Sequence, residues 1–377
     1  MLPLSLYIHF PWCIKKCPYC DFNSHAAKSA IPETQYVQQL LADLAADIAR
    51  YHIDRPIISL FMGGGTPSLF SPEAFDRLLT GVKQQLTLAD DIEITLEANP
   101  GTFESGKFKE FRQLGINRLS IGVQSFDDGL LNNLGRVHSG LEAIKAAEIA
   151  HQAGFDNFNL DLMYGVPGAT TASSLKDMAT AISLAPSHIS FYQMTLEPNT
   201  YFYRFPPPLP QDEIIYDSQN QCQQKLAQAG YSQYEISAYS QPGKQSRHNS
   251  NYWQFGDYLG IGAGAHGKIS LAMPEKIIRT LKPKNPTAYL EQNLAQTQAT
   301  AIMRDDLPLE FLMNHLRLRS GFSLYDYQMA TGLNPETLEP TLSGCLKENL
   351  LIKQDIRYHC SNKGWNFLDT ILEKFAP

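Results

Sequence analysis

Strands and helices alternate along the first half of the chain in the pattern of hydrophobic and polar residues. An apolar run at 4–10 predicts a strand, and apolar residues in helical spacing over 33–51 predict the helix that follows it. The same pattern then repeats. The predicted strands are 4–10, 57–62, 92–96, 118–123, 157–163 and 188–194, and the predicted helices are 33–51, 72–86, 103–114, 141–153 and 174–184. Alternation with connections of this length predicts a parallel sheet with right-handed crossovers.

Chemically reactive residues follow the end of each predicted strand. In chain order they are a cysteine-rich loop at 11–22, the glycine run 63–67, Glu97 with Asn99, then Gln124, Asp161 and Glu197. An open doubly wound sheet concentrates such residues at one switch point, whereas a barrel uses the carboxyl ends of all its strands. With six units instead of eight, the α/β pattern predicts an incomplete (β/α)6 barrel.

The pattern changes after residue 205. Prolines at 206–208 and 210 predict a linker, which is followed by a predicted helix over 211–229 and a predicted edge strand over 231–239. Further predicted helices cover 307–318, 324–331 and 335–349, before a short hairpin at 350–360 and a last helix. We therefore expect a partial barrel over 1–205, a connecting region over 206–285 and a small helical, winged-helix-like domain over 286–377.

The composition indicates a globular, mildly acidic protein. Its 377 residues fit an α/β barrel with an appendage, and 31 basic against 38 acidic residues give a net charge of −7. This charge argues against nucleic acid as the main partner, even for a winged helix. Since no apolar run approaches the ~18 residues of a membrane span and a leader pattern is absent, we expect a cytoplasmic protein without a transmembrane segment.

The cysteines fall into two groups. Cys13, Cys17 and Cys20 share a loop that two prolines keep irregular, so three thiolates can face one centre, as soft metals and iron–sulfur clusters require. A [4Fe–4S] cube on three thiolates leaves one iron open to a small ligand. A Cys3His zinc site completed by His9 or His25 is the alternative, although zinc ligands more usually come as two paired motifs. The remaining cysteines are expected to be buried thiols: Cys222, Cys345 and Cys360.

The spacing CxxxCxxC, with Tyr19 before the last cysteine, resembles the cluster loop of radical S-adenosylmethionine (SAM) proteins. This resemblance implies an incomplete α/β barrel, a [4Fe–4S] cluster on the three loop cysteines, and SAM chelating the open iron. The SAM-binding positions that it implies are Tyr7, Gly64, Gly65, Thr66, Glu97, Gln124, Arg136 and Asp161. A capping or surface role is the plain alternative for each residue singly, and their shared position at strand ends strengthens the joint case.

Physical reasons accompany several of these assignments. Backbone N–H groups of the glycine run at 64–66 could approach the methionine end of SAM closely. Glu97 lies between apolar neighbours on a strand, so a cationic sulfonium would give its carboxylate a partner. Asp161 has similar surroundings and could accept hydrogen bonds from ribose hydroxyls. Gln124 and Arg136 could bind the ribose and the carboxylate.

Within this family the chain most resembles the branch that contains oxygen-independent coproporphyrinogen III dehydrogenase and a related haem chaperone. Tyr7 and His9 match a tyrosine and a histidine that this branch places before the loop. The dehydrogenase has a further cysteine two residues after the third cluster ligand, where this chain has Phe22, and a long extension where only six residues precede Tyr7. The chaperone instead carries HNxxYW, which the segment 248–253 reproduces.

The resemblance therefore implies a chaperone that binds haem and transfers it to acceptor haemoproteins such as respiratory cytochromes. Such a protein would be cytoplasmic and would associate peripherally with acceptors in the membrane. His248 is expected to ligate or orient the haem, with Asn249, Tyr252 and Trp253 as further contacts and with His9 and His266 as the next candidates for the iron ligand. Radical decarboxylation of coproporphyrinogen III to protoporphyrinogen IX is the alternative function, and a structural zinc protein is a distant third.

Overall fold

The computed structural model describes residues 2–101, 105–271, 276–291 and 297–376. Its strands are β1 Leu4–Phe10, β2 Trp12–Cys13, β3 His25–Ala26, β4 Ile57–Gly64, β5 Leu88–Ala98, β6 Arg118–Gln124, β7 Phe158–Tyr164, β8 His188–Gln193, β9 Ser232–Gln233, β10 Ala238–Ser240, β11 Asp257–Ile261, β12 His266–Leu271, β13 Lys276–Leu281, β14 Gln298–Ala301, β15 Phe322–Ser323, β16 Leu351–Gln354 and β17 Arg357–Cys360. Its helices are α1 Glu33–Tyr51, α2 Pro72–Gln85, α3 Phe108–Gln113, α4 Asp128–Asn133, α5 Gly140–Gln152, α6 Thr171–Ser183, α7 Tyr201–Arg204, α8 Asp212–Gln228, α9 Arg247–Trp253, α10 Pro286–Leu290, α11 Leu307–His315, α12 Leu324–Thr331, α13 Thr341–Lys347, α14 Asn362–Asn366 and α15 Leu368–Lys374.

One large sheet carries the barrel, in the order β14-β13-β12-β11-β1-β4-β5-β6-β7-β8-β10-β9. Strands β1, β4, β5, β6, β7 and β8 are parallel neighbours in chain order. Helices of the six units connect them, and over the described residues β14 and β9 remain separate edges. The incomplete (β/α)6 barrel predicted from the sequence is therefore confirmed.

A seventh parallel strand extends this barrel on the other side of β1. Leu4–Ile8 pairs in register with Asp257–Ile261 of β11, and β12 to β14 continue the sheet in antiparallel fashion. The sequence pattern predicts no strand here because glycines interrupt the apolar run. The fold needs one of them for close packing, since a Cβ atom on Gly260 would lie 1.8 Å from the carbonyl oxygen of His266.

Three local predictions are revised. The edge strand predicted over 231–239 is two short strands, β9 and β10, because a turn held by the bond from Ser237 N–H to Glu235 Oε1 separates them. The HNxxYW segment, which lacks an evident periodic pattern, forms the helix α9. Of the helix predicted over 103–114, residues 103 and 104 lie outside the described part, and α3 covers the later residues.

Local signals explain where the barrel helices begin. The helix α5 starts at a capping box, in which Ser139 accepts from the Glu142 N–H while the Glu142 carboxylate accepts from the Ser139 N–H. The helix α2 starts after the N-cap Ser71, with Pro72 at its first position. These helices pack their apolar faces on the outside of the sheet in one large core. The carboxyl ends of the strands are thereby left to form a site.

A second hydrophobic core lies in the C-terminal part. Phe311 and Tyr327 are fully buried in it, between α11, α12, α13 and the three-stranded sheet β15-β17-β16. The helices predicted over 307–318 and 324–331 and the hairpin are present, whereas the helix predicted over 335–349 is a 3-10 turn, Pro335–Leu338, followed by α13 after Pro340. The small helical domain is therefore confirmed, while the boundaries at 205 and 285 stay a prediction. Every described helix is too short or too polar to cross a bilayer.

Candidate functional site

The three loop cysteines lie together beside the carboxyl ends of the barrel strands. They are free, half-buried thiols that line a cavity of about 150 Å³. Each sulfur has a polar neighbour: Cys13 Sγ accepts from Thr66 Oγ1 at 3.5 Å, Cys17 Sγ accepts from Arg136 Nη1 at 3.6 Å, and Cys20 Sγ lies 3.6 Å from Ser24 Oγ. Donors of this kind stabilise thiolate charge and tune a bound cluster, so the residues present fit a three-thiolate iron–sulfur site.

Asn99 joins two of these sulfur neighbours. Its Nδ2 donates to Thr66 Oγ1 at 2.9 Å, and its Oδ1 accepts from Arg136 Nη2 at 2.8 Å. These two bonds and the two sulfur contacts form a continuous line of hydrogen bonds from Cys13 through Thr66, Asn99 and Arg136 to Cys17. From the sequence, Asn99 is placed at a strand end without a predicted role, and its position two residues after Glu97 was the available signal.

Both histidines of the zinc alternative have other polar partners in this structure. The ring of His9 is already bonded at both nitrogens, with Nδ1 2.9 Å from Tyr7 Oη and Nε2 2.9 Å from the carbonyl oxygen of Asn23. His25 Nε2 lies 3.3 Å from the side-chain oxygen of Asn23. Over the described ranges, no three His, Cys, Asp or Glu side chains converge on a point where one metal ion would sit. A cube spaces its thiolates more widely than a single ion does, so this arrangement favours a cluster.

The glycine segment packs against the start of the cysteine loop. Gly65 N–H donates to the Phe10 carbonyl and Thr66 N–H to the Trp12 carbonyl, both at 2.7 Å. Gly64 has φ +112°, and a Cβ atom there would lie 2.3 Å from the His9 ring, so this position requires glycine. The amides expected to approach SAM are therefore engaged within the protein. The glycine segment therefore offers a ligand a closely packed surface and not free N–H donors.

Two carboxylates face the same cavity from β5 and β7, the strands on either side of β6. Glu97 Oε2 accepts from Gly64 N–H at 2.9 Å, yet burial and the negative charge of Asp161 raise the pKa of Glu97 to about 7. Burial also raises the pKa of Asp161, although Asn159 donates to its carboxylate at 2.8 Å. An acidic pair held in this way would gain a partner from a cationic ligand.

The backbone of Gln124 is strained at the end of β6. Its φ is +68°, a left-handed conformation that residues other than glycine rarely adopt. Such strain persists where the surrounding structure enforces it and is concentrated at functional sites. The side chain lines the cysteine cavity together with Glu97, Asp161 and Arg136.

The structure brings the predicted SAM positions together. Those lining the cysteine cavity are Gly64, Gly65, Thr66, Glu97, Gln124, Arg136 and Asp161. Tyr7 lies beside them in an adjoining cavity that Glu97 also lines. Burial and the charge of Glu97 raise the pKa of Tyr7, which keeps its hydroxyl protonated as a donor or acceptor.

The HNxxYW segment lines a second, larger cavity of about 590 Å³ that shares Glu97, Gln124 and Asp161 with the cysteine cavity. Its helix α9 is anchored from the barrel: the two carboxylate oxygens of Glu93 accept from the N–H groups of Arg247 and His248, each at 3.0 Å. Glu93 has no role predicted from the sequence, because the contact spans more than 150 residues.

His248 lies in the wall of this cavity, with only 1% of its surface exposed. Its Nδ1 is 3.0 Å from Ser59 Oγ and its Nε2 is 2.8 Å from Tyr252 Oη. Burial, followed by the charge of Arg118, lowers its pKa to about 3, so the ring is neutral. Both ring nitrogens are thus occupied, and the ring orients Tyr252. Ligation of iron by His248 would require the tyrosine hydroxyl to leave.

The two further candidates for the iron ligand, His266 and His9, differ in exposure and in hydrogen bonding. His266 is exposed and lines a third cavity of about 530 Å³, which shares Tyr252 with the HNxxYW cavity. Burial and the nearby charges of Lys284 and Arg279 lower its pKa, which favours the neutral ring. Within the described chain, no hydrogen bond occupies its ring nitrogens, so it is the more open of the two candidates.

Comparison with known proteins agrees with this geometry. The family model described as Radical SAM superfamily matches residues 7–179, and the HemN C-terminal domain matches residues 302–367. The chain is 46% identical over 376 residues to the heme chaperone HemW of Haemophilus influenzae, covering 99% of this chain and 98% of that protein. It is also 46% identical over 374 residues to the heme chaperone HemW of Escherichia coli, with the same coverage of both chains.

A solved structure supports the fold. Coproporphyrinogen III oxidase (HemN) of Escherichia coli superposes with a TM-score of 0.83 at 23% identity, covering 99% of this chain and 90% of that one. The barrel, the cysteine loop and these matches define a protein of the radical SAM superfamily. Within that superfamily, the chain belongs to the HemW family.

Proposed function

We propose that this protein is a haem chaperone that binds haem at the mouth of its barrel and passes it to acceptor haemoproteins, respiratory cytochromes among them. The observation that carries the proposal is the HNxxYW cavity, whose volume of about 590 Å³ falls in the range of cofactor sites. Tyr252, Trp253 and the exposed ring of Phe22 offer this cavity the aromatic surface that a flat macrocycle favours. Asn249 adds a polar contact.

The cysteine cavity next to it would hold the resident cofactors. Cys13, Cys17 and Cys20 would ligate a [4Fe–4S] cluster, which with SAM at its open iron supplies one-electron chemistry when bound. The proposed SAM positions line the cysteine cavity, with Tyr7 beside them. Glu97 would hold the positive end of SAM, and Asp161 would accept from its ribose. Because the two cavities share Glu97 and Asp161, bound SAM would form one wall of the haem site.

An anaerobic haem titration tests the proposal. Reconstituted protein should bind haem with a defined Soret band, bind it differently when SAM is present, and transfer it to an apo-cytochrome added afterwards. Failure of the wild-type protein to bind haem under any of these conditions would overturn the proposal.

A product assay distinguishes the alternative function. Phe22 stands at the position of the dehydrogenase's additional cysteine, and its side chain is 57% exposed at the cavity mouth. Radical intermediates require exclusion of water and stray hydrogen donors, so we expect little or no conversion of coproporphyrinogen III to protoporphyrinogen IX with SAM and a reductant. Efficient conversion would support the dehydrogenase instead. The proposed chaperone would work in the cytoplasm and contact membrane acceptors peripherally.

A further inference from the structure

Arg118 at the start of β6 is a buried cation without a counter-ion in contact. Only 2% of its surface is exposed, and its Nε has no hydrogen-bond partner. In the described part of the chain, no carboxylate comes within ion-pairing distance of its guanidinium. An unpaired charge held in the interior carries a large desolvation cost, so this arrangement calls for an anion that binds there.

The other deeply buried cations show how the same fold treats a structural charge. Lys268 lies 2.9 Å from Asp257, and Lys282 lies 2.6 Å from Asp43 and 2.8 Å from Asp47. Each of these lysines is held by carboxylates from the protein itself. Arg118 departs from that pattern.

The cavity that Arg118 lines is the HNxxYW cavity. Its mouth includes the exposed residues Tyr192 and Thr195, whereas Arg118 forms part of its buried inner end. Arg118 is the one Lys or Arg side chain among the described residues that line this cavity. An anionic group that enters between the aromatic residues would meet this guanidinium.

The residues around Arg118 leave its charge available. His188 and His248 are neutral, since burial and then the charge of Arg118 lower the pKa of each ring. Burial raises the pKa of Asp161, and the charge of nearby Arg118 lowers that pKa by a smaller amount. The Asp161 carboxylate accepts its hydrogen bonds from Asn159 and Ser120, however, and not from Arg118. The guanidinium therefore keeps free donors toward the cavity.

We propose that Arg118 binds a propionate carboxylate of haem at the inner end of the HNxxYW cavity, an inference that rests on the proposed function. A guanidinium presents two parallel N–H donors that match both oxygens of a carboxylate. Haem would then enter with one propionate inward and its macrocycle against Tyr252 and Trp253. Arg118 would fix its orientation, while the iron would remain available to a separate ligand.

Comparing the affinity for haem with the affinity for its dimethyl ester tests the propionate contact, because the ester keeps the macrocycle and removes the carboxylate charges. Wild-type protein should bind haem roughly ten- to a hundredfold more tightly than the ester, as a buried charge-assisted contact predicts. Arg118→Met, which keeps the side-chain length, should lose that preference and bind both ligands as wild type binds the ester. Arg118→Lys should recover part of it. Arg357→Gln, which changes an arginine paired with Asp326 in the C-terminal domain, should behave as wild type.

The other possible results overturn either the propionate contact or the proposed function. If wild type binds haem and the ester equally, or if Arg118→Met retains the full preference, the propionate contact is overturned. If Arg118→Met weakens both ligands equally with unchanged cluster content, Arg118 only shapes the cavity as a distant counter-charge to Asp161, and the proposal is again wrong. If wild type binds neither ligand, the proposed function itself fails. If the methionine variant does not fold, Arg118→Lys takes its place: a reduced preference for haem over the ester supports the contact, and the full wild-type preference overturns it.

Discussion

Removal of the Glu93 carboxylate should release the helix that carries HNxxYW. Only 5% of the Glu93 surface is exposed. One of its carboxylate oxygens accepts a hydrogen bond from the Arg247 N–H and the other accepts one from the His248 N–H. Hydrogen bonds to a charged group contribute about 1.5–3 kcal/mol each. Glu93→Gln keeps one acceptor oxygen and turns an NH2 group toward the other N–H, so it should cost about 3 kcal/mol of local stability at the start of α9.

Hydrogen–deuterium exchange measures this directly, because a global unfolding curve is poorly defined for a large cofactor-binding chain. A cost of about 3 kcal/mol corresponds to roughly hundredfold faster exchange of the amides in Arg247–Trp253. Haem affinity should fall in parallel, while iron content stays unchanged.

Asp91→Asn provides a matched control. Asp91 lies 2.9 Å from the side chain of Arg247, but it is 78% exposed. A surface ion pair of this kind contributes about 0–1 kcal/mol, so exchange should change little. If Glu93→Gln leaves the amides of α9 as protected as in wild type, or if the two variants behave alike, Glu93 does not anchor this helix.

Three further predictions follow from the same site. Replacing any one of Cys13, Cys17 and Cys20 by Ser should abolish binding of about four irons per chain, whereas Ser at Cys222, Cys345 and Cys360 should leave iron and sulfide content unchanged. Since the pKa of Glu97 is raised to about 7, the carboxylate forms as the pH rises through 7, and SAM affinity in a calorimetric titration should increase over that range. Glu97→Gln should remove this pH dependence. A wild-type SAM affinity that does not change with pH would contradict the role assigned to Glu97. His248→Ala should weaken haem binding and shift the Soret band with cluster content and SAM affinity unchanged, and Tyr252→Phe should reproduce the effect if His248 acts by orienting Tyr252. Unchanged haem binding in His248→Ala would direct attention to His266.

The features predicted from the sequence are those whose signals lie close together in the chain. The cysteine spacing falls within eight residues, and each barrel strand is an apolar run followed by a polar residue. The features that were missed depend on distant contacts. The helix α9 needs Glu93 from β5, and β11 joins β1 although glycine interrupts its pattern. Arg118 begins a predicted strand, but its lack of a counter-ion is a property of the folded interior.

The line of hydrogen bonds from Cys13 through Thr66, Asn99 and Arg136 to Cys17 has a thermodynamic consequence. Thr66 and Arg136 are at once neighbours of the cysteine sulfurs and proposed contacts of SAM. If occupancy of one site orders these side chains, the second binding event loses less conformational entropy. Linkage then requires reciprocity: the factor by which the cluster strengthens SAM binding equals the factor by which SAM strengthens retention of the cluster. A chain with little SAM would therefore be the one most readily stripped of its iron.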